Sequence, residues 1–129
     1  MNGSKLVFIS LPMSGKTDLE IAEDLSEAKK VYMRNMPEGQ TVKFCHNFQP
    51  DIRAEDNGAR NGLEGVWYLG RALEMLSKCD EAYFYGEWGI ARGCRIEYEV
   101  CKLYGIPWIF ESDSVLSLNG ACHLENRRR

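Results

Sequence analysis

The chain has 129 residues, of which 44% are hydrophobic, and a formal net charge of −3. This length predicts a single domain spanning residues 1–129 with an ordinary core. The chain has no apolar run long enough to span a membrane, no secretory signal, and no basic stripe before its last three residues. We therefore expect a cytoplasmic protein that binds neither a membrane nor duplex nucleic acid.

Short apolar runs alternate with segments of helical spacing along the chain, and no repeat is present. The predicted strands cover residues 6–10, 41–45, 81–85 and 107–110, and the predicted helices cover 17–36, 63–78 and 92–104. Thr17 followed by Glu20 is the pattern of a capping box at the start of the first helix. Residues 47–62 are a long polar loop, which is a candidate functional lid, with disorder as the alternative. Residues 112–129 are predicted to be a weakly structured tail.

Apolar residues spaced three and four apart predict which face of each helix is packed. The predicted packed faces are Ala22, Leu25, Ala28 and Tyr32 in the first helix, Val66, Leu69, Leu73 and Leu76 in the second, and Ile96, Val100, Leu103 and Tyr104 in the third. Glu97 lies at the flank of the third face and near the helix start, so we expect it to point inward with its charge stabilised. Glu99 falls on the other side with Arg95 and Lys102, where ion pairing in water is expected.

The alternation of strands and helices predicts an α/β fold whose sheet is mainly parallel, with four or five strands. Ligands bind such sheets beyond the carboxyl ends of the strands. That rule selects residues 10–15, 45–47, 86–93 and 111–113. Asp80 precedes its strand and is therefore expected at the opposite edge.

The segment Ser14-Gly15-Lys16-Thr17 matches the end of a phosphate-binding P-loop. The first glycine of that motif would fall at position 10, which is Ser10, and Pro12 removes a backbone N–H from the loop. The sequence therefore disfavours a P-loop. The remaining N–H groups at the start of the helix can still face an anion.

The five cysteines form an odd number and lack paired metal-ligand spacing. With only two histidines in the chain, no metal motif results. We therefore expect reduced, mostly structural thiols, no metal and no cofactor.

Three motifs together resemble the nucleoside 2-deoxyribosyltransferase-like superfamily. They are S-x-P-M-S-G from Ser10, Y-x-x-R-x-L-x-x-L-x-x-C-D from Tyr68, and W-x-x-x-R-G-x-R-x-E from Trp88, the last followed by Gly105-Ile106-Pro107. The resemblance covers roughly residues 5 to 111. It is closest to the small, often phage-borne members of unknown function.

The resemblance implies a flavodoxin-like, Rossmann-like three-layer sandwich and chemistry at the N-glycosidic bond of a nucleoside or nucleotide. A carboxylate on the third helix attacks the anomeric carbon, and water or another base completes hydrolysis or transfer. By position relative to Gly105, the candidate catalytic residue is Glu97. The resemblance also implies a homodimer or larger homo-oligomer, for which the aromatic segment at 66–69 is a candidate surface.

Four positions depart from the pattern of the catalytic relatives. Phe8 stands where they carry a Tyr that hydrogen-bonds the nucleophile, and Ala72 where they carry an acidic Asp. Ala91 replaces a phosphate-binding Ser, and Leu11 replaces a loop glycine. These departures leave a second interpretation, a catalytically silent nucleotide-binding protein such as a phage protein that sequesters a nucleotide signal. For catalysis, acid–base help would have to come from His46, Glu87, Glu64 or a partner subunit.

The candidate ligand-binding residues follow the strand ends. They are Ser10, Pro12, Met13, Ser14, Gly15, His46, Asn47, Trp88, Arg92 and Gly93. Arg92 and the helix start at Gly93 suit a phosphate or carboxylate. Trp88 suits stacking on a base, with packing on the third helix as the alternative. His46 and Asn47 suit the polar edges of a ligand, with simple solvation as the alternative.

Overall fold

The structure is a computed structural model that describes residues 4–111. The strands are Lys5–Ser10 (β1), Val42–Cys45 (β2), Glu81–Phe84 (β3) and Trp108–Phe110 (β4). The α-helices are Asp18–Arg34 (α1), Glu64–Leu76 (α2) and Arg92–Tyr104 (α3). Single 3₁₀ turns lie at Ala54–Asn57 and Trp88–Ile90. The predicted tail at 112–129, and residues 112–113 of the predicted edge segment, lie outside the described residues.

The four strands form one parallel sheet in the order β2-β1-β3-β4. Phe8 in β1 is paired with Cys45 on one side and Ala82 on the other, so β1 is an interior strand. This position explains its continuous apolar sequence, because an interior strand of a parallel sheet is buried on both faces. The predicted α/β class and the parallel sheet are confirmed.

Helices cover both faces of the sheet. On one face, side chains of α1 and of the sheet form a shared core of Val7, Ile9, Leu11, Ile21, Leu25, Ala28, Tyr32 and Tyr83. On the other face α2 and α3 enclose a second core of Phe8, Ala72, Leu76, Ala82, Phe84, Cys101, Trp108 and Phe110. The result is the predicted three-layer, Rossmann-like arrangement.

The ends of the helices follow local chemistry that is visible in the sequence. The Oγ1 atom of Thr17 accepts a hydrogen bond from the Glu20 backbone N–H at 3.1 Å, and Glu20 Oε1 accepts one from the Thr17 N–H at 2.8 Å. The predicted capping box is therefore present. At the other end of the chain, α3 stops at Gly105, whose φ of 76° is the left-handed value that ends many helices.

Two of the predicted packed faces are partly wrong. In α1, Ile21 is buried in place of Ala22. In α2, Val66 is 64% exposed and Ala72 is fully covered. In α2 the small side chain of Ala72 lets the helix backbone approach the sheet, whereas in α1 the larger Ile21 fills the contact and Ala22 faces outward.

The third packed face is wrong in most of its members. Ile96, Leu103 and Tyr104 are exposed, at 42%, 76% and 79%. The buried residues of α3 are Cys94, Glu97 and Cys101. Helical periodicity predicts the spacing of the buried residues but not which face of the helix is buried. Here the hydrophobicity of Ile and Leu predicted the wrong face. Glu97 therefore lies in the centre of the buried face and not at its flank.

The loop at 47–62 packs against α2. The Nδ2 group of Asn47 donates to the Tyr68 carbonyl at 2.7 Å, and the Ala54 backbone N–H donates to the Tyr68 hydroxyl at 3.0 Å. Ala54 is fully buried. The described loop is thus an ordered layer on α2, which favours order over the disordered alternative.

Asp80 lies at the amino edge of the sheet, as predicted. Its Oδ2 atom accepts a hydrogen bond from the Leu6 backbone N–H at 2.8 Å, and its own N–H donates to the Leu6 carbonyl at 2.7 Å. Asp80 therefore aligns β1 with the start of β3 and is remote from the carboxyl edge.

Candidate functional site

The carboxyl ends of β1 and β3 define the most favourable position for a ligand site in this sheet. These strands are neighbours, but the chain leaves β1 toward α1 on one face and leaves β3 toward α3 on the other. Such a reversal opens a crevice between the two departing loops. Here the loops come close together, since a Cβ atom built on Gly86 would lie 3.6 Å from Pro12 Cδ.

Ser10 and Glu97 meet where β1 ends, at this edge of the sheet. The hydroxyl of Ser10 donates a hydrogen bond to Glu97 Oε1 at 2.6 Å, and the two side chains come from positions 87 residues apart. Both residues are buried, with 2% of Ser10 and 7% of Glu97 exposed. The short distance is typical of a hydroxyl bonded to a carboxylate. The structure thus brings two predicted site residues, one from β1 and one from α3, into direct contact.

The environment of Glu97 favours its protonated form. Burial raises the pKa of Glu97 to about 7, and the hydrogen bond from Ser10 opposes this rise. We expected the start of α3 to stabilise the charge, but burial outweighs that contribution. The favourable field of a helix start is confined to about the first turn, and Glu97 is the sixth residue of α3.

Two thiols lie near Glu97 on the same face of α3. Burial raises the pKa of Cys94 to about 12, opposed by a hydrogen bond with Ser10 and increased by the charge of Glu97. Burial also raises the pKa of Cys101 to about 12, again with a contribution from Glu97. Both cysteines are therefore neutral, structural thiols at physiological pH.

No ionisable side chain within residues 4–111 hydrogen-bonds to Glu97. The expected substitutes His46, Glu87 and Glu64 are elsewhere, and Glu64 Oε1 accepts a bond from the Gly62 N–H at 3.0 Å. Phe8 and Ala72, which replace a Tyr and an Asp in the pattern of the resemblance, are each 1% exposed in the α2–α3 core. In the described part of the chain, Glu97 therefore has a hydroxyl partner but no acid–base partner.

The loop after β1 has a half-buried part and an exposed part. Pro12 and Met13 are half-buried, and Met13 packs against the α1 core. Ser14 and Gly15 are exposed, and Gly15 has a φ of 80°, which favours glycine. Lys16 forms an ion pair with Asp24 at 2.7 Å, which removes it from the role of a P-loop lysine.

The residues after β2 have different surroundings from one another. Asn47 is held by α2, through the bond to Tyr68 described above. The Nδ1 atom of His46 is buried and has no hydrogen-bond partner among residues 4–111. Burial lowers the pKa of His46, and the charge of Lys29 adds to this effect. His46 is therefore a neutral side chain near the strand end, and no contact joins it to Glu97.

Trp88 and Arg92 lie apart from Glu97, in a groove on the outer side of α3. The groove has a volume of about 520 Å³ and runs beside the 88–90 turn. We call it the α3 groove, and its lining includes Trp88, Arg92, Arg95, Ile96, Tyr98 and Lys102. The side chains predicted to form one binding site therefore divide between the two sides of α3.

Trp88 belongs to an aromatic cluster as well as to this groove. Its ring stacks on Phe110 with centroids 4.9 Å apart and planes 7° apart, and it lies 5.1 Å from the Tyr98 ring. Packing on α3 was the alternative to base stacking, and the structure contains that packing. Gly93, next to Arg92, is half-buried in the first turn of α3.

Three residues important for this geometry were not among the candidates. Cys94 contacts Ser10, and Tyr98 joins Trp88 to α3. Arg95 was assigned to surface ion pairing, but the ion pair present is Lys102 with Glu99 at 3.3 Å. Only the rotation of α3 about its axis distinguishes these roles, and the predicted packed face had set that rotation incorrectly.

No protein-family model matches the chain, and no curated protein is significantly similar to it. Among residues 4–111, no helix is both long and apolar enough to cross a bilayer. The same residues include no group of three or more His, Cys, Asp or Glu side chains positioned to hold a metal ion.

Proposed function

We propose that this protein binds a nucleoside or nucleotide at the carboxyl edge of the sheet, with Glu97 at the base of the site. The observation that carries the proposal is the buried hydrogen bond between Ser10, at the carboxyl end of β1, and Glu97 of α3. A carboxyl group buried without a counter-ion is costly to maintain, and such groups cluster at functional sites. The motifs that resemble nucleoside 2-deoxyribosyltransferase-like proteins supply the ligand class.

The chemistry of Glu97 suits the sugar of such a ligand. With a pKa of about 7, the carboxyl group is present in both protonation states near neutral pH. It can then accept a hydrogen bond from a sugar hydroxyl or donate one to a ring or ester oxygen. Because Glu97 is 7% exposed, the proposal requires the residues that cover it to move aside when a ligand binds.

Cleavage or transfer at the N-glycosidic bond is the second candidate function. In that reaction the Glu97 carboxylate attacks the anomeric carbon, the C–N bond breaks and the base leaves with a proton from solvent. Water or a second base then attacks the same carbon and releases the Glu97 carboxylate. The position of Glu97 favours this step, but the lack of an acid–base partner within residues 4–111 does not. Acid–base help contributes roughly 10²–10⁴ in rate, so binding ranks ahead of catalysis.

A thermal-shift screen with nucleosides and their 5′-phosphates tests binding. We expect at least one compound to raise the unfolding temperature of the parent protein, since a ligand that binds the folded state stabilises it. Glu97→Gln keeps the acceptor for Ser10 but removes the charge, and we expect roughly tenfold weaker binding. Glu99→Gln, on the exposed side of the same helix, is the matched control and should bind as the parent does.

The same mixtures report on catalysis if they are analysed for free base. Release of base by the parent but not by Glu97→Gln would support glycosidic cleavage, and its rate should rise with pH through about 7, because the nucleophile must be ionised. Binding without release identifies a binding protein. The proposal fails if no compound in the screen shifts the parent, or if Glu97→Gln responds as the parent does.

The proposal includes the homo-oligomer that the resemblance implies. Leu63 and Val66 at the start of α2 are 50% and 64% exposed, and an apolar surface of this kind supports self-association. Sedimentation velocity over a range of concentrations measures the assembly directly. A monomer at all concentrations would remove this part of the proposal and leave the binding site unaffected.

A further inference from the structure

The α3 groove has the size and construction of a small-molecule site. Its volume of about 520 Å³ lies within the range of ligand clefts, roughly 300–1,000 Å³. One wall is the 88–90 turn, and the other is the outer face of α3 from Arg92 to Lys102. Neither Ser10 nor Glu97 lines the groove. It is therefore separate from the crevice between β1 and β3.

Aromatic rings form the apolar part of the groove and are held in place by packing. Trp88 is fixed from below by its stack on Phe110, with the planes 7° apart. Tyr98 packs edge-on against Phe84 and Trp108, at 5.8 Å and 5.4 Å between ring centroids. Rings held this way offer a flat surface at little cost in side-chain entropy.

The charged side chains of the groove are mostly cations. Lys102 is paired with Glu99 at 3.3 Å and lies 4.8 Å from the centre of the Tyr98 ring. Arg92 and Arg95 have no carboxylate within ion-pair distance in residues 4–111. Among the lining residues within 4–111, three cations against the carboxylate of Glu99 leave a local charge of +2, in a chain whose net charge is −3. The groove thus concentrates positive charge on an acidic protein.

We propose that the α3 groove binds a small aromatic anion. The ring of the ligand lies against Trp88, and its phosphate, sulfate or carboxylate group is held by Arg92 and Arg95. A neutral aromatic compound would leave both guanidinium groups without a partner, and a bare inorganic anion would leave the rings uncovered. Guanidinium groups pair well with flat oxyanions because their donors form a fork.

This site is independent of the proposed function. Arg95 and Glu97 are two positions apart on α3, which places their side chains roughly 160–200° apart around a helix of 3.6 residues per turn. A ligand in the groove therefore does not contact the Glu97 carboxyl group. A probe that is not a nucleoside can test the groove alone.

Isothermal titration calorimetry of the full chain with 1-naphthyl phosphate tests the proposal. We expect one molecule bound per chain, at least tenfold weaker binding of the uncharged analogue 1-naphthol, and at least tenfold weaker binding of 1-naphthyl phosphate to the double variant Arg92→Gln/Arg95→Gln. Glu97→Gln should bind the probe as the parent does. The matched control is Arg34→Gln/Arg60→Gln, which removes two exposed arginines elsewhere and should also bind as the parent does.

Four binding results would overturn the proposal, and so would one assembly result. They are no binding of 1-naphthyl phosphate, equal binding of 1-naphthol, an equal loss of affinity in the Arg34/Arg60 control, and loss in Glu97→Gln, which would assign the probe to the crevice. A fifth is self-association of the parent that Arg92→Gln/Arg95→Gln abolishes, because the groove would then be an interface between copies of the chain. If nucleosides do not bind the crevice but 1-naphthyl phosphate binds the groove, the proposed function fails and this inference stands.

Discussion

Glu81 and Glu97 are the two carboxylates buried below a tenth of their surface in residues 4–111, and their surroundings differ. At the amino edge of the sheet, Glu81 Oε1 accepts a bond from the Tyr32 hydroxyl at 2.5 Å and lies 3.3 Å from the Lys5 ammonium. At the carboxyl edge, Glu97 has the neutral Ser10 hydroxyl and two buried thiols nearby.

The difference separates a structural carboxylate from a candidate functional one. A buried carboxylate with a cation beside it is compensated in the folded protein and fastens two elements together. A buried carboxylate with only neutral neighbours gains or loses a proton readily near neutral pH and is available to a ligand. The pKa of Tyr32 supports the contrast, since burial and the bonded Glu81 charge raise it above its ordinary value. We therefore expect mutations of the two carboxylates to have opposite effects on stability at neutral pH.

The largest expected effect is the pH dependence that Glu97 imposes on stability. Its folded-state pKa of about 7 exceeds the ordinary 4.5, so the folded protein binds its proton more tightly than the unfolded chain does. The stabilisation of the folded state by this proton is complete below pH 4.5 and is lost as the pH rises to about 7. Glu97→Gln has no titrating group at this position, so it does not lose this stability as the pH rises. The free energy of unfolding of Glu97→Gln minus that of the parent should therefore increase by about 3 kcal/mol from pH 4 to pH 8.

Urea unfolding of both proteins across this pH range measures the difference between their free energies of unfolding. The contributions of other titrating groups are the same in both proteins and cancel in this difference. Glu99→Gln, on the exposed face of the same helix, should show no comparable change. A difference that stays constant with pH would mean that folding does not raise the pKa of Glu97, and the interpretation of its surroundings would be wrong.

The second effect concerns the hydrogen bond that the Tyr32 hydroxyl donates to Glu81. Glu81→Ala removes the charged acceptor of the Tyr32 hydroxyl, and we expect a loss of about 2 kcal/mol in the free energy of unfolding. Tyr32→Phe should cost about 1–2 kcal/mol for the same bond. The double variant should be less destabilised than the sum, because both single changes break one interaction. Strictly additive losses would show that the bond between α1 and β3 contributes little.

The smallest expected effect tests how the hydrogen bond from Ser10 changes the pKa of Glu97. The Ser10 hydroxyl stabilises the charged form of Glu97, so Ser10→Ala should raise the pKa of Glu97 further. The free energy of unfolding should fall by about 1 kcal/mol. Carbon NMR of the Glu97 carboxyl group gives its titration directly, and Ser14→Ala in the exposed part of the same loop is the control. An unchanged or lowered pKa in Ser10→Ala would contradict the assigned role of this bond.

Much of the fold follows from patterns within short windows of the sequence. The apolar run of β1, the capping box at Thr17 and Glu20, and the stop at Gly105 each depend on neighbouring residues. Their order along the chain then predicts a parallel sheet with helices on both faces. The carboxyl edge and the amino edge follow from strand direction alone, which is why Ser10 and Asp80 were assigned to opposite ends correctly.

The sequence predicted the residues of the site less completely than it predicted the fold. The motifs selected Glu97 and Ser10, and the structure brings them together. Local patterns also grouped Trp88 and Arg92 with them, but these residues line the other side of α3. Ile96 and Leu103 suggested the wrong packed face because they are more hydrophobic than Cys94 and Cys101, although the smaller thiols fit the closer contact with the sheet.

The sequence by itself determined which elements form, in what order, and at which edge of the sheet their ends lie, because those features depend on local periodicity and end-capping. The tertiary structure alone decided how α3 is rotated, and with it which α3 side chains meet Ser10 and which line the groove. That rotation depends on how side chains separated by most of the chain fill a shared space. No window of neighbouring residues contains that information.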